Sequence, residues 1–131
     1  MQMTLYVLLG LALTWIAYLA YLWIASKALQ GSRIDHLSAK IPELANFPRA
    51  AMLYCYSPRC GPCRSMSPLI DQLRAEGRPI IKLDIGEDVQ LARELGVRAA
   101  PTLILLRKNV IQQVQIGARS RAQIERMLQQ G

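Results

Sequence analysis

No Asp, Glu, Lys or Arg occurs before Lys27. The 16 basic and 9 acidic residues lie in the remainder of the chain, and so does the net charge of +7. Cysteine occurs three times, histidine once and phenylalanine once in 131 residues. Three cysteines are too few for a disulfide-stapled scaffold. The single histidine, His36, sits in a weakly patterned segment and reads as a surface residue rather than a catalytic one. There is no Gly-rich phosphate loop, no zinc-finger spacing and no basic helix with interleaved aromatics, which argues against nucleic acid as a partner. The positive charge is scattered rather than run together, the pattern of a solvated surface. Such a surface still attracts acidic partners and anionic lipid. No internal repeat or low-complexity tract is visible, and the length suits one small domain.

What the N-terminus has instead of charge is a continuous apolar stretch from Leu5 to Ala25. A spanning helix needs about 20 such residues, because in hydrocarbon every backbone polar group must bond within the helix. Tyr6 near one end, and Tyr21 and Trp23 near the other, suit the two interfaces. A cleaved signal peptide fits less well: Met1–Thr4 has no basic side chain, the apolar core is long, and Ser26-Lys27-Ala28 is a poor cleavage site. A buried core helix fits poorly too, since a domain this small cannot enclose a helix that is apolar on all sides. The expectation is an anchor over 1–26, a linker over 27–33 marked by Gln30-Gly31-Ser32, and a globular domain over 34–131. A single-pass chain with the lipid bilayer as a partner follows.

Beyond the linker the pattern alternates. Ala50–Tyr56 is a short apolar run suited to a buried strand. Pro62–Glu76 carries Met66, Leu69, Ile70 and Leu73 on one helical face, with Gly77 placed to end it. Pro79–Ile85 predicts a strand, and Glu87–Leu95 a short helix stopped by Gly96. Thr102–Arg107 and Val110–Ile116 are separated only by Lys108-Asn109, the spacing of an antiparallel hairpin. The last helix opens at Ser120, with Gln123 completing a capping box and Ile124, Met127 and Leu128 as its apolar stripe. The stretch Ile34–Phe47 is poorly patterned. The order β-α-β-α-β-β-α implies an α/β domain, a mixed sheet flanked by helices.

Cys60-Gly61-Pro62-Cys63 falls at the junction of the first strand and helix. Proline is tolerated in a first helical turn, where its missing N–H is not needed. Cys60 then sits at a helix N-terminus, where unpaired N–H groups and the dipole stabilise a thiolate. Cys63 lies about one turn on, along the same side. This spacing suits a cycle in which Cys60 attacks a disulfide and Cys63 resolves the mixed disulfide. Arg59 and Arg64 flank the pair and favour the Cys60 thiolate. A zinc knuckle built with Cys55 and His36 is the rival reading, weakened by the absence of a second Cys pair. Cys55 itself lies within the predicted strand, where a free cysteine packs as a small hydrophobe.

With those motifs in place, the chain resembles the thioredoxin family from about Ala50 to the C-terminus. Cys60-Gly61-Pro62-Cys63 is the family's active-site tetrapeptide, and Pro68 matches the proline that kinks its active-site helix. Lys82 matches a lysine near the active site, Val97–Leu103 the segment with the cis-proline, and Gly117 a glycine of the substrate-binding surface. The resemblance implies a thioredoxin-like mixed sheet preceded by one N-terminal transmembrane helix. It implies that Cys60 is the nucleophile and Cys63 the resolving thiol, and that Pro101 is cis and faces them. Substrate would lie on Arg59, Gly61, Pro62, Ala100, Pro101 and Gly117, with Ala100 pairing to an extended segment.

The implied activity is protein-disulfide oxidoreduction, in the reducing direction given the Gly-Pro pair. The redox-active Cys60–Cys63 pair would replace any separate cofactor or metal. The partners would be proteins with disulfides and an unidentified electron donor. A binding module that holds a membrane partner with little redox turnover is the alternative. Lys27, Arg33 and Lys40 follow the anchor and none precedes it, which points the domain to the cytoplasm. Many bacterial anchored relatives face the periplasm, so that side stays open.

Three departures stand out. Arg59 replaces the family's Trp before the first cysteine, which alters the substrate-facing surface. Tyr54 replaces the buried Asp six positions before Cys60, so that Cys63 must rely on water or Lys82, or react more slowly. The family's first strand and helix are faint in Arg33–Phe47. Arg98 is either a contact for acidic substrates or an ordinary solvated residue.

Overall fold

The computed structural model describes residues 1–130, Ser26 by its backbone alone. Helix α1, Gln2–Ala28, is the longest element. Its stretch Gln2–Ala25 has a mean hydropathy of 2.0, and none of it is buried inside the protein. By length and composition it can cross a membrane, since even 20 residues span about 30 Å at 1.5 Å each.

The helix runs through Ala28, and the residues after it are tied down rather than free. The Gly31 N–H donates to the Ile111 carbonyl at 2.7 Å, and the Ile111 N–H donates to the Ser32 carbonyl at 2.9 Å. Arg33 adds an isolated antiparallel bridge to Val110. The stretch expected as linker therefore completes a sheet edge, whose outward N–H and carbonyl groups need partners.

Residues 34–47 form two short 3-10 turns, Asp35–Leu37 and Pro42–Asn46. Their apolar residues Ile34, Leu37, Ile41 and Leu44 are buried in the core. The spacing of these four suits a helix, but Pro42 forbids one. The residue before a proline is pushed out of the α region, and Ile41 has φ −123° and ψ 75°. The faint first strand and helix are thus a bridge and two turns.

The strands are β1 (Ala50–Tyr56), β2 (Ile80–Asp84), β3 (Thr102–Arg107) and β4 (Val110–Ile116). They form one four-stranded sheet in the order β2-β1-β3-β4. β1 runs parallel to β2, and the other pairs are antiparallel. This is the expected mixed sheet. The β3–β4 hairpin turns through Lys108 and Asn109, both at positive φ.

Helices α2 (Gly61–Ala75) and α4 (Arg121–Gln130) cover one face, where Met52, Tyr54, Met66, Ile70, Leu73, Ile124 and Met127 form a core. The other face holds Leu53, Cys55 and Ile104 against the 34–47 turns and α3 (Val89–Glu94). Period-2 alternation along β1 assigns Tyr54 to one core and Cys55 to the other. Helix α3 starts later than expected because Asp88 caps it, accepting from the Leu91 N–H at 2.8 Å. The Ser120 capping box forms at α4, with Ser120 N–H to Gln123 Oε1 at 2.9 Å and Gln123 N–H to Ser120 Oγ at 3.3 Å.

Candidate active site

β1 delivers the chain to the sheet's end, and Ser57–Arg59 turn it into α2. The turn is closed by the Cys60 N–H, which donates to the Ser57 carbonyl at 3.1 Å. Cys60 is the N-cap of α2, with extended backbone angles of φ −82° and ψ 118°. Its Sγ accepts the Cys63 N–H at 3.2 Å. A sulfur in that position takes the capping role usually given to Ser or Asp, and negative charge on it is stabilised by the N–H and the dipole. Pro62 occupies the first turn, where no N–H is missed.

Cys60 and Cys63 are joined as a disulfide, with a Cα–Cα distance of 5.2 Å. Cys60 is half-buried and Cys63 is buried. The asymmetry presents the first sulfur to a partner and keeps the second behind it. Arg59, Gly61, Pro62 and Arg64 surround the pair; Arg59, Gly61, Pro62 and Arg64 are all exposed.

Behind Cys63, at the position where the family carries Asp, lies the fully buried Tyr54. Its hydroxyl donates to the Cys63 carbonyl at 3.3 Å and lies 3.0 Å from Ser67 Oγ. Since a phenol has one proton, the Ser67 hydroxyl donates to Tyr54 in this arrangement. Burial pushes the Tyr54 pKa up, so it is a neutral hydrogen-bond partner at ordinary pH. Tyr54 stacks on Tyr56 with centroids 5.5 Å apart. Lys82 Nζ lies 5.1 Å from the Tyr56 ring centre and donates to Asp71 Oδ1 at 2.9 Å. The ammonium named in the sequence as a support for Cys63 is thus held by Asp71 of α2.

The third part comes from the loop before β3. The Ala100–Pro101 peptide is cis, the isomer that the resemblance implies. Thr102 pairs with Cys55 near the end of β1, so Pro101 and the Cys60 loop leave the same end of the sheet. Gly117 closes this part: its N–H donates to the Pro101 carbonyl at 2.8 Å. It does so at φ +95°, a conformation that L side chains rarely adopt. Thr102 Oγ1 donates to the Ala99 carbonyl at 2.8 Å. Among the described residues, no hydrogen bond engages the main chain of Ala100.

The zinc set is not brought together. Cys55 is buried on the sheet face opposite Tyr54 and α2, and His36 is exposed. Burial pushes the Cys55 pKa up to about 12, which leaves a neutral, unreactive thiol. Two contacts escaped the sequence. One is the Ser67–Tyr54–Cys63 link, whose only trace was Ser67 one helical turn after Cys63. The other joins distant segments: Arg98 Nη1 donates to the Tyr21 hydroxyl at 2.8 Å.

A paired dithiol at a helix N-terminus, on a mixed sheet and beside a cis-proline loop, defines a disulfide oxidoreductase. The comparisons with known proteins agree. The family profile described as Thioredoxin matches residues 42–130. Thioredoxin of Haemophilus influenzae is 29% identical over 97 residues, covering 72% of this chain and 83% of the relative. Thioredoxin 2 of Chlorobaculum tepidum is 29% identical over 89 residues, covering 66% and 82%. Among solved structures, Fasciola hepatica thioredoxin superposes with a TM-score of 0.62 at 22% identity, covering 72% of this chain and 94% of that one. A single-residue mutant of a Halobacterium salinarum thioredoxin gives 0.64 at 21% identity, covering 78% and 86%. The chain belongs to the thioredoxin family, and it is a thioredoxin-like protein-disulfide oxidoreductase.

Proposed function

We propose that this is a membrane-tethered thiol–disulfide exchanger that reduces disulfides in protein substrates. The observation that carries the reading is Cys60 Sγ capping α2 while bonded to Cys63. In the reduced form the Cys60 thiolate attacks one sulfur of a substrate disulfide. The Cys60–substrate bond forms, the substrate S–S bond breaks, and the departing sulfur takes a proton from water. Cys63 gives its proton to water, and its thiolate attacks Cys60 Sγ. The Cys60–Cys63 bond forms and the second substrate sulfur leaves. Two electrons have passed to the substrate, and a dithiol donor returns them by the reverse exchange. The pair serves in place of a separate cofactor or metal.

Arg59, Gly61, Pro62, Ala100, Pro101 and Gly117 form the substrate platform, where the unengaged main chain of Ala100 suits strand addition. Lys82 supports the site through Asp71. Residues 1–26 anchor the chain, 27–33 connect, and 34–131 form the redox domain. The basic residues Lys27, Arg33 and Lys40 favour a cytoplasmic domain. A membrane-impermeant thiol reagent that reached reduced Cys60 only from the periplasmic side would reverse that orientation.

The test is insulin reduction driven by dithiothreitol, with the full chain in detergent against Cys60→Ser. The wild-type chain accelerates the reaction and Cys60→Ser does not. Equal rates would replace this reading with that of a binding module holding a membrane partner.

A further inference from the structure

The path of α1 along the domain fixes which way the dithiol looks. Gly31 is bonded to Ile111, and Ile111 pairs with Leu106, towards the end of the sheet away from Cys60. Moving back along the chain, Leu29 lies over Gly96, where an added Cβ would collide with its side chain. Further back, the Tyr21 hydroxyl accepts from Arg98. Arg98 opens the run that leads through Pro101 to Thr102, at the sheet end from which the Cys60 loop leaves. Followed towards its N-terminus, the helix therefore climbs the domain from the far end to the active-site end.

The large apolar side chains from Leu5 to Leu19, before Tyr21, are all exposed, as they would be where the helix continues beyond that end. The stretch Gln2–Ala20 is about 28 Å long at 1.5 Å per residue, close to the roughly 30 Å of a hydrocarbon core. Tyr21 then falls at the interface, where tyrosine is favoured, and Arg98 beside it lies at headgroup level. The loops bearing Cys60, Pro101 and Gly117 carry Arg59, Arg98 and Arg119 and no acidic residue, and Arg64 adds a further positive charge from the start of α2. The acids at this end are Asp84, the last residue of β2, and Glu87 and Asp88 just after it, and β2 is the edge strand remote from β4. A basic rim of this kind suits anionic headgroups.

We propose that the dithiol faces the bilayer, and that its substrate is a disulfide in the juxtamembrane segment of an integral membrane protein. This rests on the membrane-tethered exchanger reading and adds the substrate class. The exchange is the one written above, with a dithiol donor as reductant.

The full chain is placed in liposomes containing anionic lipid, with dithiothreitol as donor. The probe is a disulfide-cyclised peptide in three forms: free in solution, lipid-anchored by a short spacer that holds the disulfide at the headgroups, and lipid-anchored by a long flexible spacer. At matched surface density the short-spacer form is reduced about tenfold faster than the long-spacer form, an effective-concentration effect. A flexible Gly/Ser insert between Ala28 and Leu29 frees the domain and removes the preference. Equal rates for both tethered forms, or a faster long-spacer form, overturn the inference while leaving exchange intact. If none of the three forms is reduced, the exchange reading falls and the inference falls with it.

Discussion

The Tyr54 hydroxyl donates to the main-chain carbonyl of Cys63 across 3.3 Å, from a side chain with no exposed surface. The strand under the site and the first turn of the active-site helix are thereby joined by a neutral hydroxyl, not by the carboxylate that the family keeps at this position. Tyr54→Phe preserves the ring and its stacking on Tyr56 but leaves Ser67 Oγ without its partner. Losing a buried hydrogen bond of this kind costs about 1–2 kcal/mol. A domain of this size should lose roughly 4–16 °C in Tm, read by thermal unfolding in detergent. An unchanged Tm would mean that the hydroxyl contributes nothing to holding the helix.

Cys55 offers a chemical test of the fold. Its thiol ionises at about 12 in the folded protein, against an ordinary value of 9.0, because burial penalises the thiolate. A raised folded value means that the contribution to stability is complete below the unfolded pKa and is lost as pH rises through the folded one. The window runs from about pH 9 to 12, and the loss approaches roughly 4 kcal/mol at about 1.36 kcal/mol per unit. Cys55→Ala should flatten the alkaline fall in stability measured by urea unfolding across that window. In the native reduced protein at pH 8, iodoacetamide should label Cys60, the half-buried thiol, and in denaturant the buried Cys63 and Cys55 as well. Rapid native labelling of Cys55 would contradict its burial.

The elements that were readable before the structure share one property: their pattern is local. The hairpin at Lys108-Asn109, the Ser120 capping box and the face of Met66, Ile70 and Leu73 each follow from spacing within a few residues. The Cys60–Cys63 site was legible for the same reason. The 34–47 segment was not, because its helical spacing and Pro42 pull in opposite directions and only the tertiary core decides between them. Residues 31–33 read only as part of a short linker over 27–33, because their partners lie on β4, far along the chain. Tyr54 was visible as a departure from the family, but its bond to Cys63 needed the helix to be seen packed over the strand. The Arg98–Tyr21 contact spans 77 positions and left no local mark.

The 34–47 turns should be the acid-sensitive part of the domain. Lys40 Nζ bonds both carboxylate oxygens of Glu94, at 2.8 and 2.9 Å, tying the turns to α3. That bond, aided by Gln90, holds the Glu94 pKa below its ordinary value. The Arg33 and Asn109 side chains do the same for Asp35. A depressed carboxylate contributes stability above its unfolded pKa, and the contribution is lost as pH falls through the folded value. Both groups are exposed, so the effect is small and local. Amide exchange at Leu37 and Leu44 should therefore quicken below the ordinary carboxylate range before exchange in β1 and β3 does. Lys40→Met should move that onset to higher pH. Simultaneous loss of protection in turns and sheet would show that the tie is incidental.

Arg59 takes the place where the family has Trp, and it brings a positive charge next to the nucleophile. Two sources are expected to stabilise the Cys60 thiolate: the α2 N-terminus, including the Cys63 N–H at 3.2 Å, and the charge of the neighbouring, exposed Arg59. They respond differently to salt. The helix contribution is short-ranged and built into the backbone, whereas an exposed arginine is screened over a Debye length of about 8–10 Å at physiological ionic strength. Arg59→Ala and Arg59→Trp should both raise the Cys60 pKa, slowing its alkylation at pH 6–7 in low salt. Added salt should slow the wild-type chain towards the variants and change the variants little. If the variants and the wild-type chain gave the same alkylation profile in low salt, the helix terminus alone would set the reactivity of Cys60, and Arg59 would act only on the choice of substrate.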